Sequence, residues 1–235
     1  MRKNVESALY FVMAVLWGVM SVGRFMQHEV FLAIAMMVAG VMSAAVATLR
    51  VIDFHRENRD KKNFKKILVV VDMQNDFIHG SLGTKEAAEI VNRVKDKIAE
   101  YKKMGCAVFF TRDTHGEDYL STPEGKKLPV KHCIKGTPGW EIADGLDTSK
   151  SIIINKSTFG TFKWSHFFED SDDLEIEVVG LCTDICVVAN AMILKAMFPS
   201  ATIRVDSSAC AGVTPESHEA ALTTMKMCQI EVVGG

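Results

Sequence analysis

Residues 67–77 read ILVVVDMQNDF, in which five consecutive apolar residues are followed by an aspartate. A run that is apolar at every position is typical of a strand that is covered on both faces of a parallel sheet. Further short apolar runs, of the kind that form strands, lie at residues 107–111, 152–154, 176–179, 202–205 and 230–233. The sequence therefore predicts an α/β domain built on a mostly parallel six-stranded sheet.

Helical patterns separate these strands, at residues 85–104, 184–198 and 215–227. The first stops at Gly105, a residue that commonly caps helix C-termini. The last follows Thr214, a favourable N-cap residue, and has Pro215 at its first helical position. Alternating strands and helices predict a three-layer α/β/α sandwich over residues 66–235.

Composition and charge narrow the class of protein. The 235 residues are 48% hydrophobic and 24% charged, which excludes a disordered or collagen-like chain. The formal net charge of −2 gives no indication of nucleic acid as a partner. Residues 1–66, however, hold ten Lys and Arg against five Asp and Glu, so this first segment is net positive whereas the rest of the chain is net negative.

Two uncharged apolar runs, 7–23 and 30–49, account for much of that first segment. At about 1.5 Å per residue, the second run is long enough to span a hydrocarbon layer of about 30 Å, and the first is at the lower limit. The short connection between them predicts a transmembrane hairpin over residues 1–50. Cations before the first run and after the second place both ends in the cytoplasm by the positive-inside rule.

Residues 51–65 then read as a basic cytoplasmic linker, so the domain would be membrane-anchored and face the cytoplasm, with the lipid bilayer as a partner. Two other interpretations of the apolar runs stay open. The first run alone could be a secretion signal, although no small-residue cleavage site precedes Arg24. The two runs could also form a buried hairpin that makes a homo-oligomer.

Polar residues follow the predicted strands, at the sheet edge where α/β proteins bind ligands. They are Asp72, Asp113, His115, Lys156 and Cys186. Each has a structural interpretation as well: an aspartate after a strand often caps a loop, and a lysine at a strand end is often solvated. A lysine desolvated beside a carboxylate would instead hold that carboxylate ionised and orient it.

Cys186 lies at the predicted start of a helix, where the positive end of the helix dipole would lower the pKa of its thiol. Most cysteines at such a position are small buried apolar groups, so the position alone does not show whether Cys186 is a nucleophile. Asp113 and His115 are two residues apart at a strand end, so their side chains would point to the same face of the strand. With His132 they suit a divalent metal: zinc first, then iron or manganese.

Five motifs carry a resemblance to a known family: VVVDMQNDF, FFTRDTH, HCIKGTPGWE, INKSTFGTF and GLCTDICV, in that order. Together they resemble the isochorismatase-like cysteine hydrolases and, within them, the nicotinamidases. The resemblance covers residues 66–235 and none of the first 65. It implies a catalytic triad of Asp72, Lys156 and Cys186 and a metal held by Asp113, His115 and His132.

The resemblance also implies finer features of the site. A fourth metal ligand of some members would lie near Ser121 or Glu124, and we favour Glu124. The backbone N–H groups of Cys182 and Cys186 would form the oxyanion hole, next to a cis peptide between Leu181 and Cys182. The substrate pocket would contain Phe77, with Phe159 and Trp164 as further candidates for its aromatic wall.

The implied activity is hydrolysis of nicotinamide to nicotinate and ammonia through a thioester. Two alternatives stay open. The first is hydrolysis of another small amide, ureido or carbamoyl compound on the same fold. The second is a catalytically inactive membrane-tethered scaffold or binding protein.

Overall fold

The computed structural model describes residues 14, 15, 30, 34, 36–43, 45, 46, 48 and 64–234. Chain contacts separate two units, Met1–Asp60 and Lys61–Gly235. No helix within the described residues is both long enough and apolar enough to cross a membrane. The predicted membrane runs and the basic linker lie largely outside these residues, so the structure lends the hairpin no support.

Six strands form one sheet in the order β3-β2-β1-β4-β5-β6. Their bounds are Lys66–Val71, Ala107–Asp113, Ile152–Lys156, Glu175–Leu181, Thr202–Ala211 and Glu231–Val233, numbered β1 to β6 along the chain. All five strand pairings are parallel, so the sheet of the described domain is wholly and not mostly parallel. Residues 67–71 of β1 are all buried, as a central strand covered on both faces requires.

The strands extend further at their carboxyl ends than the apolar runs predict. β2 includes Asp113 and β3 includes Lys156, and these two residues are paired in register. The strands therefore continue through polar residues to the edge of the sheet, beyond the point at which the apolar pattern ends. β1 lies between β2 and β4, so the strands that follow it are added first on one side of β1 and then on the other. Ligand crevices in such folds open at this change of side.

Four α-helices connect the strands: α1 is Asn75–Ile78, α2 is Lys85–Lys103, α3 is Val188–Met197 and α4 is Pro215–Met227. α2 begins at Thr84, whose side chain accepts the N–H of Ala87, and Gly105 follows it with φ +71°. α4 has the predicted bounds and a capping box between Thr214 and Ser217. The predicted helix 184–198 is corrected, because residues Thr183–Val187 form a wider π-helical turn before α3 begins.

Candidate active site

Three side chains that follow different strands meet at the carboxyl edge of the sheet. Asp72 follows β1, Lys156 ends β3 and Cys186 lies in the turn after β4. The Nζ atom of Lys156 lies 2.5 Å from Oδ2 of Asp72 and 3.5 Å from Sγ of Cys186. All three residues are buried, with exposed fractions of 0% to 5%. The residues of the predicted triad are therefore in contact.

Asp72 turns sharply out of the strand. Its φ is +46°, in the left-handed region that aspartate adopts more readily than most side chains. The Thr111 hydroxyl donates to Oδ1 at 2.7 Å, and the N–H of Asp72 donates to the Thr111 carbonyl at 3.2 Å. Gly180 on β4 allows this turn, because a Cβ there would lie 2.2 Å from the Val71 carbonyl oxygen. Oδ2 is left facing Lys156.

Burial is the largest single influence on the pKa values of the three triad residues. Burial raises the pKa of Asp72, an effect that the charge of Lys156 partly offsets. Burial lowers the pKa of Lys156, but the nearby charges of Asp72, Cys186 and Asp113 together outweigh burial, so that pKa lies above its ordinary value. Burial, and then the charge of Asp72, raise the pKa of Cys186 well above its ordinary value. Cys186 is therefore a neutral thiol at rest.

The expectation of a thiol pKa lowered by a helix dipole was wrong. Cys186 is inside a π-helical turn and 5% exposed, so the loss of hydration outweighs a partial positive charge in the backbone. A buried neutral thiol needs a base that removes its proton during the reaction. Asp72 lies close enough to Cys186 for its charge to influence the thiol, and it is that candidate base.

Two anchors hold the turn that carries Cys186. The Asp184 carboxylate accepts the N–H of Val213 at 3.1 Å, and the Thr183 hydroxyl pairs with Nδ1 of His218 at 2.8 Å. The peptide bond between Leu181 and Cys182 is cis, which confirms that implication of the resemblance. The oxyanion role of the Cys182 and Cys186 N–H groups stays a prediction.

A second cluster lies beside the triad. Asp113, His115, Glu124 and His132 each offer one ligand atom, and these atoms all lie within 4.8 Å of one another. Nε2 of His115 lies 2.8 Å from Oδ2 of Asp113 and 3.7 Å from Oε1 of Glu124. Two carboxylates and two imidazoles suit a borderline divalent cation. The donor set therefore fits a divalent metal.

The structure distinguishes the two candidates for the fourth ligand. Oε1 of Glu124 also lies 3.9 Å from Nε2 of His132, so its carboxylate faces both imidazoles. Ser121 is exposed and its hydroxyl donates to the carbonyl of Asp118. Glu124 thus belongs to the cluster and Ser121 bonds within its own turn.

The imidazoles are held by groups around them. Nδ1 of His132 lies 2.8 Å from the Val130 carbonyl, which assigns the proton to Nδ1 and leaves the Nε2 lone pair free. The ring of Tyr119 packs against both histidines, with centroids 4.6 Å from His115 and 4.9 Å from His132. Tyr119 is fully buried and had no signal of its own in the sequence.

Asp113 joins the candidate metal-binding group to the triad. Its Oδ2 faces the histidines, and its Oδ1 lies 3.4 Å from Nζ of Lys156. Burial would raise the pKa of Asp113, but the hydrogen bond from His115 and the surrounding positive charges, first that of Lys156, together outweigh burial and lower it. Asp113 is consequently ionised, as a metal ligand must be.

The sequence analysis did not identify two residues that bond the backbone at or beside predicted metal ligands. The Gln74 side chain accepts the N–H of Asp113 at 2.6 Å and donates to the carbonyl of Asp113 at 2.9 Å. The Asp76 carboxylate accepts the N–H of Cys133, next to His132, at 2.7 Å. Both lie in the motif DMQNDF, so polar residues just after a buried strand were the available signal.

The three pocket candidates have different surroundings. The ring centroid of Phe77 lies 5.6 Å from that of His132, beside the candidate metal-binding group. Phe159 is 49% exposed, on the loop after Lys156. The prediction that Trp164 lines the pocket was wrong. Trp164 is fully buried in the hydrophobic core and stacks on Phe168 with ring centroids 5.9 Å apart, so it has no face free for a substrate.

Residues 66–234 match the family model described as the isochorismatase domain. The chain belongs to the isochorismatase family. A nicotinamidase/pyrazinamidase of Mycobacterium tuberculosis is 30% identical over 188 residues, covering 72% of this chain and 98% of that protein. The crystal structure of a pyrazinamidase of Pyrococcus horikoshii in complex with zinc has a TM-score of 0.61 at 29% identity, over 73% of this chain and 99% of that one.

Another similar protein is described as inactive. A probable inactive nicotinamidase of Arabidopsis thaliana is 31% identical to this isochorismatase family member, over 68% of this chain and 87% of that protein. Similarity at this level therefore does not separate active members from inactive ones.

Replacing Glu124 with alanine should weaken metal binding by this isochorismatase family member by at least about 100-fold, because one of four predicted ligands is lost and even the loss of an outer-shell partner costs about 10- to 100-fold. The measurement is a zinc titration of the full-length protein after chelation, with metal content determined after dialysis. Ser121→Ala is the matched control in the same loop and should bind zinc as the unchanged protein does. Equal zinc affinity for both variants would remove Glu124 from the ligand set.

Proposed function

We propose that this protein is a metal-dependent cysteine amidohydrolase that converts nicotinamide to nicotinate and ammonia through a thioester. The chain is an amidohydrolase of C–N amide bonds, as its family and its nicotinamidase relatives indicate. The observation that carries the proposal is the buried contact of Lys156 with Asp72, Cys186 and Asp113, which joins a nucleophile and its base to a metal cluster.

In the first half of the reaction, Asp72 takes the proton of the Cys186 thiol as the sulfur attacks the amide carbon. A C–S bond forms and the carbonyl electron pair moves to oxygen, where the N–H groups of Cys182 and Cys186 would stabilise the charge. The C–N bond then breaks. Asp72 returns its proton to the departing nitrogen, so ammonia leaves and a thioester remains.

In the second half, water attacks the thioester carbon while Asp72 accepts a proton from it. The C–S bond breaks, the sulfur recovers a proton and the carboxylic acid is released. Lys156 remains a cation, because burial, which lowers its pKa, is outweighed by the nearby charges of Asp72, Cys186 and Asp113 together. Its charge orients the base and stabilises the transient thiolate.

The metal site would be formed by Asp113, His115, Glu124 and His132. A bound divalent metal would supply open positions for a ring nitrogen of the substrate and for water. Zinc is the metal that the pyrazinamidase structure of Pyrococcus horikoshii contains, and we propose it here as well, with iron and manganese as alternatives. Phe77, beside His132, would contact the ring of the substrate.

The hairpin 1–50 would hold the domain at the cytoplasmic face of a membrane. Its support is the two apolar runs and the cations that flank them. Self-association through this hairpin is part of the same proposal.

Two alternatives remain to be separated from nicotinamide hydrolysis. Another small amide, ureido or carbamoyl compound would use the same triad with different contacts at the ring pocket. An inactive scaffold would have no use for a buried lysine between two carboxylates, an arrangement that is costly to bury unless it serves the site.

The test is ammonia release by the zinc-loaded full-length protein from nicotinamide, pyrazinamide and a set of carbamoyl and ureido compounds. We expect the highest kcat/KM for nicotinamide or its pyrazine analogue. A higher value for a carbamoyl or ureido compound would reassign the substrate. No ammonia from any of them, with metal bound, would favour the scaffold.

A further inference from the structure

One buried amide links the turn that carries Cys186 to the loop that follows Lys156. Asn190 lies in the first turn of α3, four residues beyond Cys186, and its exposed fraction is 0%. Its Nδ2 donates to the carbonyl of Cys186 at 2.8 Å and to the carbonyl of Phe159 at 3.1 Å. Its Oδ1 accepts the N–H of Thr161 at 3.3 Å. Both donors and the acceptor of the side chain are therefore used.

The same loop contacts α3 through its backbone. Gly160 lies between the two loop residues that bond Asn190, and a Cβ at this position would lie 2.4 Å from Cδ1 of Ile193 and 3.5 Å from Cβ of Ala189. The absence of a side chain at Gly160 lets the loop reach the helix. Hydrogen bonds and close packing thus attach the loop to α3 at one place.

The sheet does not by itself bring Lys156 to Cys186. β3, which ends at Lys156, and β4, which leads to Cys186, are separated in the sheet by β2 and β1. The 3.5 Å contact between Nζ and Sγ therefore depends on segments beyond the strand ends. Among the hydrogen bonds of residues 64–234, those of Asn190 join the backbone at Cys186 to the loop that begins one residue after Lys156.

We propose that Asn190 is a positioning residue, which sets the distance between Lys156 and Cys186 by bonding the nucleophile turn and the loop after the lysine. This inference rests on the proposed function, because it assigns Lys156 and Cys186 to one reaction. Displacement of a reacting group by about 1 Å can cost about 100-fold in rate. Asn190 itself touches neither substrate nor metal.

The test uses the zinc-loaded full-length protein with Asn190→Asp and Asn190→Ser. Aspartate keeps the size and one acceptor, but it loses both donated hydrogen bonds and places an anionic oxygen against two carbonyls. Serine can still bond the carbonyl four residues back but cannot reach the loop. We expect both variants to lower kcat by about 10- to 100-fold, with KM and zinc content close to those of the unchanged protein.

A second readout requires no substrate. Iodoacetamide modification of Cys186, measured by mass spectrometry at fixed pH, should be slower by about 5-fold or more in both variants, because the small thiolate fraction that reacts loses the neighbouring ammonium that stabilises it. The other cysteines provide an internal reference. If the unchanged protein hydrolyses no amide, the proposed function fails, yet the alkylation rates still decide the role of Asn190.

Asn155→Ala is the matched control. Asn155 precedes Lys156 and its side chain accepts a hydrogen bond from Arg112 at 3.0 Å, with no bond to the nucleophile turn. This variant should keep the kcat and alkylation rate of the unchanged protein. The proposal is overturned if the Asn190 variants have a lower melting temperature but an unchanged or faster Cys186 alkylation, since that is the behaviour of a purely structural residue. Full kcat in Asn190→Ser would overturn it as well.

Discussion

Replacing Cys186 with alanine is expected to abolish ammonia release, by at least about 10⁴-fold in kcat, because no other side chain can form the thioester. The substitution removes one sulfur atom from a buried turn, so folding and metal binding should persist. The measurement is ammonia release from nicotinamide by the zinc-loaded full-length protein, together with thermal unfolding and zinc content.

Cys210→Ala is the appropriate control for this variant. Cys210 is also a buried cysteine, but it lies in β5 and its sulfur is 4.0 Å from the carbonyl oxygen of Val178. The control should retain the rate of the unchanged protein. Rapid quenching of the unchanged protein during turnover should reveal an added acyl mass on the peptide that contains Cys186. If Cys186→Ala kept more than a tenth of the rate, the covalent route would be excluded.

Asp72→Asn is expected to lower kcat by about 10³-fold, within the range that a general base contributes. Asparagine has the shape of aspartate and can still accept the hydrogen bond from Thr111, but it cannot take the thiol proton. Lys156 keeps Asp113 at 3.4 Å, so the cation does not lose its only partner. The measurement is kcat at saturating nicotinamide, with Asp96→Asn on the exposed face of α2 as the control.

The pH dependence of the unchanged protein tests the same assignment. Burial raises the pKa of Asp72, although the charge of Lys156 opposes this. Activity should therefore fall on acidification at a pH above the ordinary aspartate pKa of about 3.9, since a protonated carboxyl cannot act as a base. The apparent value belongs to the coupled group of Asp72, Lys156 and Cys186. Loss of less than 10-fold in Asp72→Asn would show that another group accepts the proton.

Some features of the site followed from the local sequence. Asp72 directly after five apolar residues, and Asp113 and Lys156 at the ends of later strands, had to lie at one edge of a parallel sheet because its strands run in one direction. The pairing of Asp113 with Lys156 in register agrees with this expectation. Bounds were least predictable where paired strands continue into polar residues, as in β5, which extends to Ala211.

Other features depended on partners far along the chain. Nothing near Trp164 in the sequence tells a core tryptophan from a pocket wall, because the difference lies in its packing against Phe168 and Phe109. The choice of Glu124 over Ser121 likewise depended on how the loop folds over His115 and His132.

The sequence by itself determined the α/β class, the bounds of α4 and the residues that reach the carboxyl edge of the sheet, because periodicity, capping and strand direction are local properties. Only the tertiary structure decided that burial raises the pKa of the Cys186 thiol, that Gln74 and Asp76 bond the backbone at or beside predicted metal ligands, and that Asn190 joins the nucleophile turn to the loop after Lys156. Those properties arise from burial and from hydrogen bonds between distant segments, which exist only once the chain has folded.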